Sequence, residues 1–241
     1  GSHKVFYLFD NELESLADIF YGIDNLIKIS FTYLFDTSKV TSCHFMFYSC
    51  RNLLKIDVSY FNTKNVETMT GMFQMCTSLT SLNVSKFDTS NVDSMSVMFA
   101  HCDSLKSLDL SNFNTNNLRS MSDMFQGCKN LTYINLKSFN TSIVYNMQYL
   151  FDGCASLTSI DLSNFNISNV DYMQGMFDDC SSITSLNLSH FENKLDAKLD
   201  YMFFGCSSLK FLDISGFISD KNVTMFYGLP NQGKIYVGKN F

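Results

Sequence analysis

The sequence predicts an α/β solenoid, a right-handed coil with a concave parallel β-sheet and short convex helices, on three observations. Leu53, Leu79, Leu105, Leu131, Leu157, Ile183 and Leu209 recur every twenty-six residues with no insertion between them. Within one period, Leu82 and Val84 alternate with Ser81, Asn83 and Ser85, the pattern of a short strand with one face buried. The return stretch then reads Val92, Met95, Met98, Phe99, Cys102 and Leu105, a three-three-one-three-three spacing that holds one apolar stripe along a helix. A strand and a helix this short cannot bury their apolar faces alone, so successive units must stack on one another.

Taken in order, residues 1–25 begin with Gly1-Ser2-His3, the remnant of an expression tag, and continue as an N-terminal capping unit. Its strand is placed at Val5 to Leu8, and Asn11 with Glu14 resembles a helix capping pair. Residues 26–228 are the repeats, the unit from Leu26 being one residue longer than the rest. Each supplies one strand in the same direction, giving a parallel sheet with strands about 4.8 Å apart. Ser90 with Asp93 and Ser168 with Asp171 are read as capping boxes of return helices too short to persist without packing. The right-handed sense follows from the usual hand of parallel crossovers. The pattern decays after Asn222, and residues 229–241 form a C-terminal cap with a turn over 229–233 and a last strand at Ile235 to Val237.

Residues one period apart form columns. Two are phenylalanine, Phe35 through Phe217 and Phe47 through Phe203, and read as aromatic spines of the core. A third, Cys50 through Cys206, places one thiol per unit at an apolar position, as small buried hydrophobes do and disulfide frameworks do not. A fourth alternates acid with amide: Asp57, Asn83, Asp109, Asn135, Asp161, Asn187, Asp213. On an exposed strand position the amides separate like charges that would repel at one strand spacing.

Composition removes several classes of function. A net charge of -6 excludes a nucleic-acid groove, which needs clustered Lys and Arg. No apolar run approaches the length of a membrane span. There is no nucleophile elbow, phosphate loop or metal-ligand spacing, so the chain reads as neither an enzyme nor a cofactor or metal protein. Core positions must repeat whereas contact positions are free to vary. The candidate partner-binding residues are therefore the irregular outward ones, Lys55, Tyr60, Tyr133, Lys137, His190 and Phe211, together with the acids Asp57, Asp109, Asp161 and Asp213.

The run Phe87-Asp88-Thr89-Ser90-Asn91-Val92, then Met95, Met98-Phe99 and Cys102, with Leu108-Asp109-Leu110-Ser111 opening the next strand, resembles the BspA-like leucine-rich repeats. The match is to their twenty-six-residue type, found in bacterial and mollicute surface lipoproteins of the DUF285-like class. The resemblance covers nearly the whole chain; the unit around Lys137 and the segment 192–199 depart from it. It implies a secreted, cell-surface or lipid-anchored protein that adheres to a host or partner protein through its concave sheet, and it brings no catalytic residues. The alternative it leaves open is a structural or antigenic display spacer without a ligand of its own.

Overall fold

The computed structural model describes residues 13–218, 223–230 and 233–238. The strand at Val5 to Leu8 and the Asn11 end of the first capping pair lie outside them. About eight stacked turns make a parallel solenoid whose short strands are β1 (Lys28–Ser30), β2 (Lys55–Asp57), β3 (Ser107–Asp109), β4 (Tyr133–Asn135), β5 (Ser185–Asn187), β6 (Phe211–Ile214) and β7 (Lys234–Val237). All pairings are parallel: β1 with β2, β3 with β4, and β5 through β6 to β7. The coils at 81–83 and 159–161 occupy the same place without joining a ladder, so this side of the stack is a broken sheet.

The opposite side is the more continuous. Single bridges run unbroken from Ser15 through Ser42, Thr68, Ser94, Ser120, Asn146 and Tyr172 to Lys198. Here, among the described residues, the expected convex helices are missing apart from one 3-10 turn at Val223–Phe226, and the hydrogen bonding of the repeats shows why. Met95 N–H donates to Ser120 O, Val97 to Ser122 O, Phe99 to Met124 O and His101 to Gln126 O, all in the next coil. Between them, Met98, Ala100 and Cys102 donate three residues back, to Met95, Val97 and Phe99. A helix would send each of these donors four residues back; alternate ones instead hold neighbouring coils together. The chain turns this way by adopting positive φ twice per coil, at Val97 (52°) and His101 (58°), and at the matching Gly71 and Met75, or Gly175 and Asp179. The apolar spacing of three that suggests a helix serves a chain of three-residue-spaced turns equally well. The capping boxes dissolve for the same reason: the Ser90 and Ser168 hydroxyls donate to Asp88 and Asn166, two residues back.

Both phenylalanine columns are core. From Phe20 through Phe47, Phe73, Phe99 and Phe125 the rings are nearly parallel with centroids 5.2 to 5.9 Å apart. In the second column Phe61–Phe87 and Phe139–Phe165 stack at 6.4 Å. All eight cysteines are free and buried, and each column thiol points at a phenylalanine carbonyl of the previous coil, as Cys102 does to Phe73 at 3.2 Å. Burial pushes the thiols up, to about 12 at Cys128. Buried threonines tie the coils a third way: Thr89 Oγ1 donates to Asn114 O and accepts Asn114 N–H. Asn193 repeats this in the later coils, its amide meeting both Ile218 N–H and Ile218 O.

Candidate interaction surface

The strand side of the stack presents alternate side chains outward, and the sequence-derived candidates sit there. Lys55, Asp57 and Asp109 are exposed on β2 and β3, Tyr133 is 57% exposed on β4, and Tyr60 is 54% exposed in the turn after β2. Lys137, Asp161 and His190 are exposed in the following coils. Phe211 and Asp213 on β6 are half-buried, with the Phe211 ring 5.4 Å from Tyr236 of β7.

The acid and amide column does more than space charge. Each member accepts the backbone N–H two residues on, closing a small turn: Asp57 from Ser59, Asn83 from Ser85, Asp109 from Ser111, Asn135 from Lys137, Asp161 from Ser163, Asn187 from Ser189 and Asp213 from Ser215, at 3.0 to 3.3 Å. These hydrogen bonds hold the Asp57, Asp109 and Asp161 carboxyls below the usual carboxylate range. Asp161 is helped, after its bonds to Ser163, by the nearby charge of Lys137 and, in its protonated form, by the His190 ring. These three candidates from successive coils thus share one electrostatic neighbourhood.

His190 also works for the fold. Its Nε2 donates to Leu162 O at 3.1 Å, the bond that Asn112 and Asn164, in the same column of earlier coils, make to Val84 O and Leu136 O. The histidine replaces the repeat's asparagine as a cap on the neighbouring coil. The structure therefore brings Lys137, Asp161 and His190 together and pairs Phe211 with Tyr236, but leaves Tyr60, Tyr133 and Phe211 on separate coils.

Two features of the return side have no counterpart in the sequence reading. Carboxylate oxygens of Asp152, Asp178 and Asp179 all lie within 4.8 Å of one another. Desolvation, then the charges of Asp152 and Asp179, raise the Asp178 carboxyl to about 6, and its Oδ1 is buried without a hydrogen-bond partner. Oxygen donors of this kind suit a hard cation, although Asp152 Oδ2 already accepts from Gln126 Nε2 at 2.8 Å. The second feature is aromatic: Tyr21 stacks on Tyr48 at 4.6 Å near one end, and Phe204 on Tyr227 at 5.7 Å near the other. Of these, only Asp152 and Asp178 stand one regular period apart in the sequence, whereas Tyr21–Tyr48 spans the longer first unit and Phe204–Tyr227 falls where the repeat has decayed.

Among the described residues no helix is long and apolar enough to cross a membrane. No curated protein matches the chain. Solved structures similar to it include a leucine-rich repeat protein of T. pallidum, 19% identical over 59% of this chain and 70% of that one, TM-score 0.34. A leucine-rich cell surface protein of Faecalibacterium prausnitzii is 18% identical, covering 84% and 70%, TM-score 0.36. A leucine-rich repeat protein of Bacteroides ovatus is 16% identical, covering 88% and 68%, TM-score 0.32. The family described as "Mycoplasma protein of unknown function, DUF285" matches twice, over residues 14–132 and 95–217. With those two overlapping matches spanning nearly all of the repeats, the chain belongs to the DUF285 family of BspA-like leucine-rich repeat proteins.

Proposed function

We propose that this is the recognition module of an extracellular or cell-surface protein, and that the strand side of the solenoid binds a host or partner protein. One observation carries the reading. At a single outward position the coils carry Lys28, Lys55, Ser81, Ser107, Tyr133, Ser159, Ser185 and Phe211, serine in half of them and Lys, Tyr or Phe in the rest, while the inward neighbour stays Ile or Leu throughout. Variation confined to the outside of an unchanging scaffold is what a surface serving a partner permits. The strand ends are fixed by the side-chain turns of the acid and amide column, so little ordering remains to be done on binding. Membership of a BspA-like family supports the surface placement. Among the described residues the depressions on this molecule are open and shallow, which favours protein over small-molecule ligands.

The test is binding to a panel of extracellular matrix and cell-surface proteins, measured by biosensor with the wild-type chain and with Tyr133→Ala/Phe211→Ala. Saturable binding that the double variant loses, at an unchanged melting temperature, supports the reading. Binding that the variant retains removes these two residues from the interface. Absence of any binding across the panel favours a display spacer.

A further inference from the structure

The first two coils break the repeat in a way that points to the chemistry of a partner. In register, Lys28 lies opposite Lys55 and Ser30 opposite Asp57, yet a few residues later the Phe35 ring meets that of Phe61, tilted, at 5.6 Å. The first coil therefore carries one extra residue between its strand and its phenylalanine. The surplus is thrown outward: Tyr33 and Leu34 are 77% and 76% exposed, and Leu34 stands one period before Tyr60, itself 54% exposed. Later coils put Lys86, Asn112, Ser138 and Asn164 in the Tyr60 column. Before the strands, Ile27 and Leu54 are also exposed, joined by Leu54 N–H donating to Ile27 O, where later coils have Thr or Lys.

Charge is equally out of pattern. Lys28 and Lys55 are cross-strand neighbours, an arrangement of like charges that is unfavourable in isolation. Among the described residues neither makes an ion pair. The acid near them, Asp57, lies close enough to feel Lys28, but its Oδ1 is already engaged by Ser59 N–H. In a chain of net charge -6, this corner offers two unpaired ammonium groups flanked by uncovered apolar side chains.

We propose that the strand face of the first two coils docks an acidic segment of a partner protein, carboxylates meeting Lys28 and Lys55 and an apolar anchor resting on Tyr33, Leu34 and Tyr60. This rests on the reading of the strand side as a recognition surface and gives its N-terminal end a specificity of its own. The probe is a fluorescent twelve-residue peptide alternating Glu with Phe and Leu, with a control in which every Glu is Lys, titrated against the full chain by anisotropy. The acidic peptide binds and the basic one does not. Lys28→Glu/Lys55→Glu weakens the acidic peptide by at least about tenfold, and Tyr33→Ser/Leu34→Ser weakens it by a comparable factor. Tyr133→Ala/Phe211→Ala leaves its affinity within about twofold, because those side chains are on distant coils. All three variants keep the wild-type melting temperature, the substituted side chains being exposed or half-buried. Failure of the acidic peptide to bind, equal binding of the basic peptide, or indifference to the lysine reversals overturns the inference. The broader recognition reading would still stand if the protein panel bound through Tyr133 and Phe211.

Discussion

At the scale of single residues, the scaffold is written in side chains that bond to backbone one coil away. The thiols, threonines and asparagines that look like filler between the leucines each satisfy a named carbonyl or amide, and His190 takes over one of these tasks from asparagine. Asp178 is the residue least at ease. Its carboxyl titrates at about 6 in the folded chain against about 3.9 unfolded. The unfolded chain thus gives up its proton first as pH rises, and stability falls from about pH 4 to about pH 6, where the penalty becomes complete. Asp178→Asn is expected to stabilise the protein at pH 7.5 by roughly 1 kcal/mol, a value discounted because the carboxyl keeps contact with solvent. At pH 4 the gain disappears. Thermal melts of both proteins at the two pH values check it; an equal shift at both would assign the effect to packing.

At the scale of the element, the unit is a coil with two ladders, a broken one along the strands and a continuous one along the turns. Alternation of period two marks the inward and outward columns of the strand side, but not which units pair: at 81–83, where Leu82 and Val84 show it plainly, no strand forms. The return segment was not legible, because apolar residues three apart fit a helix and a run of turns alike. Only the fate of alternate N–H groups, bonded to the next coil, distinguishes the two. Glycine marks these turns in the sequence: Gly71, Gly127 and Gly175 hold positive φ in the same two columns as Val97 and His101. Beside Gly175 there is no space for a methyl group either, since a Cβ would lie 2.4 Å from the Tyr149 ring. The strand-side candidates were found through their irregularity, whereas the turn-closing work of the aspartates was hidden because regular spacing of charge explained the same column. The aromatic spine is the element's main apolar support. Phe99→Ala removes a fully buried ring between Phe73 and Phe125 and is expected to cost about 3 to 5 kcal/mol, read from urea unfolding. A loss below about 1 kcal/mol would show that the column contributes little.

At the scale of the whole molecule, contacts run between each coil and its neighbours, so stability is a sum of local terms and opening is expected to start at the ends. Buried thiols report this. In the native protein a thiol-alkylating reagent should leave Cys102, Cys128 and Cys154 untouched while Cys50 and Cys206 near the termini label slowly, as mass spectrometry of digests would show. Uniform fast labelling would mean the column is not sealed. The turn ladder carries one further implication. Because every coil hands half of its return-side amides to the coil after it, a unit copied whole finds the same acceptors waiting, whereas an insertion of any other length inside that segment strands them. On the return side such an array tolerates duplication and loss in whole periods only, the strand side alone admitting an extra residue as the first coil does, so its reach can vary by copy number while its cross-section stays constant.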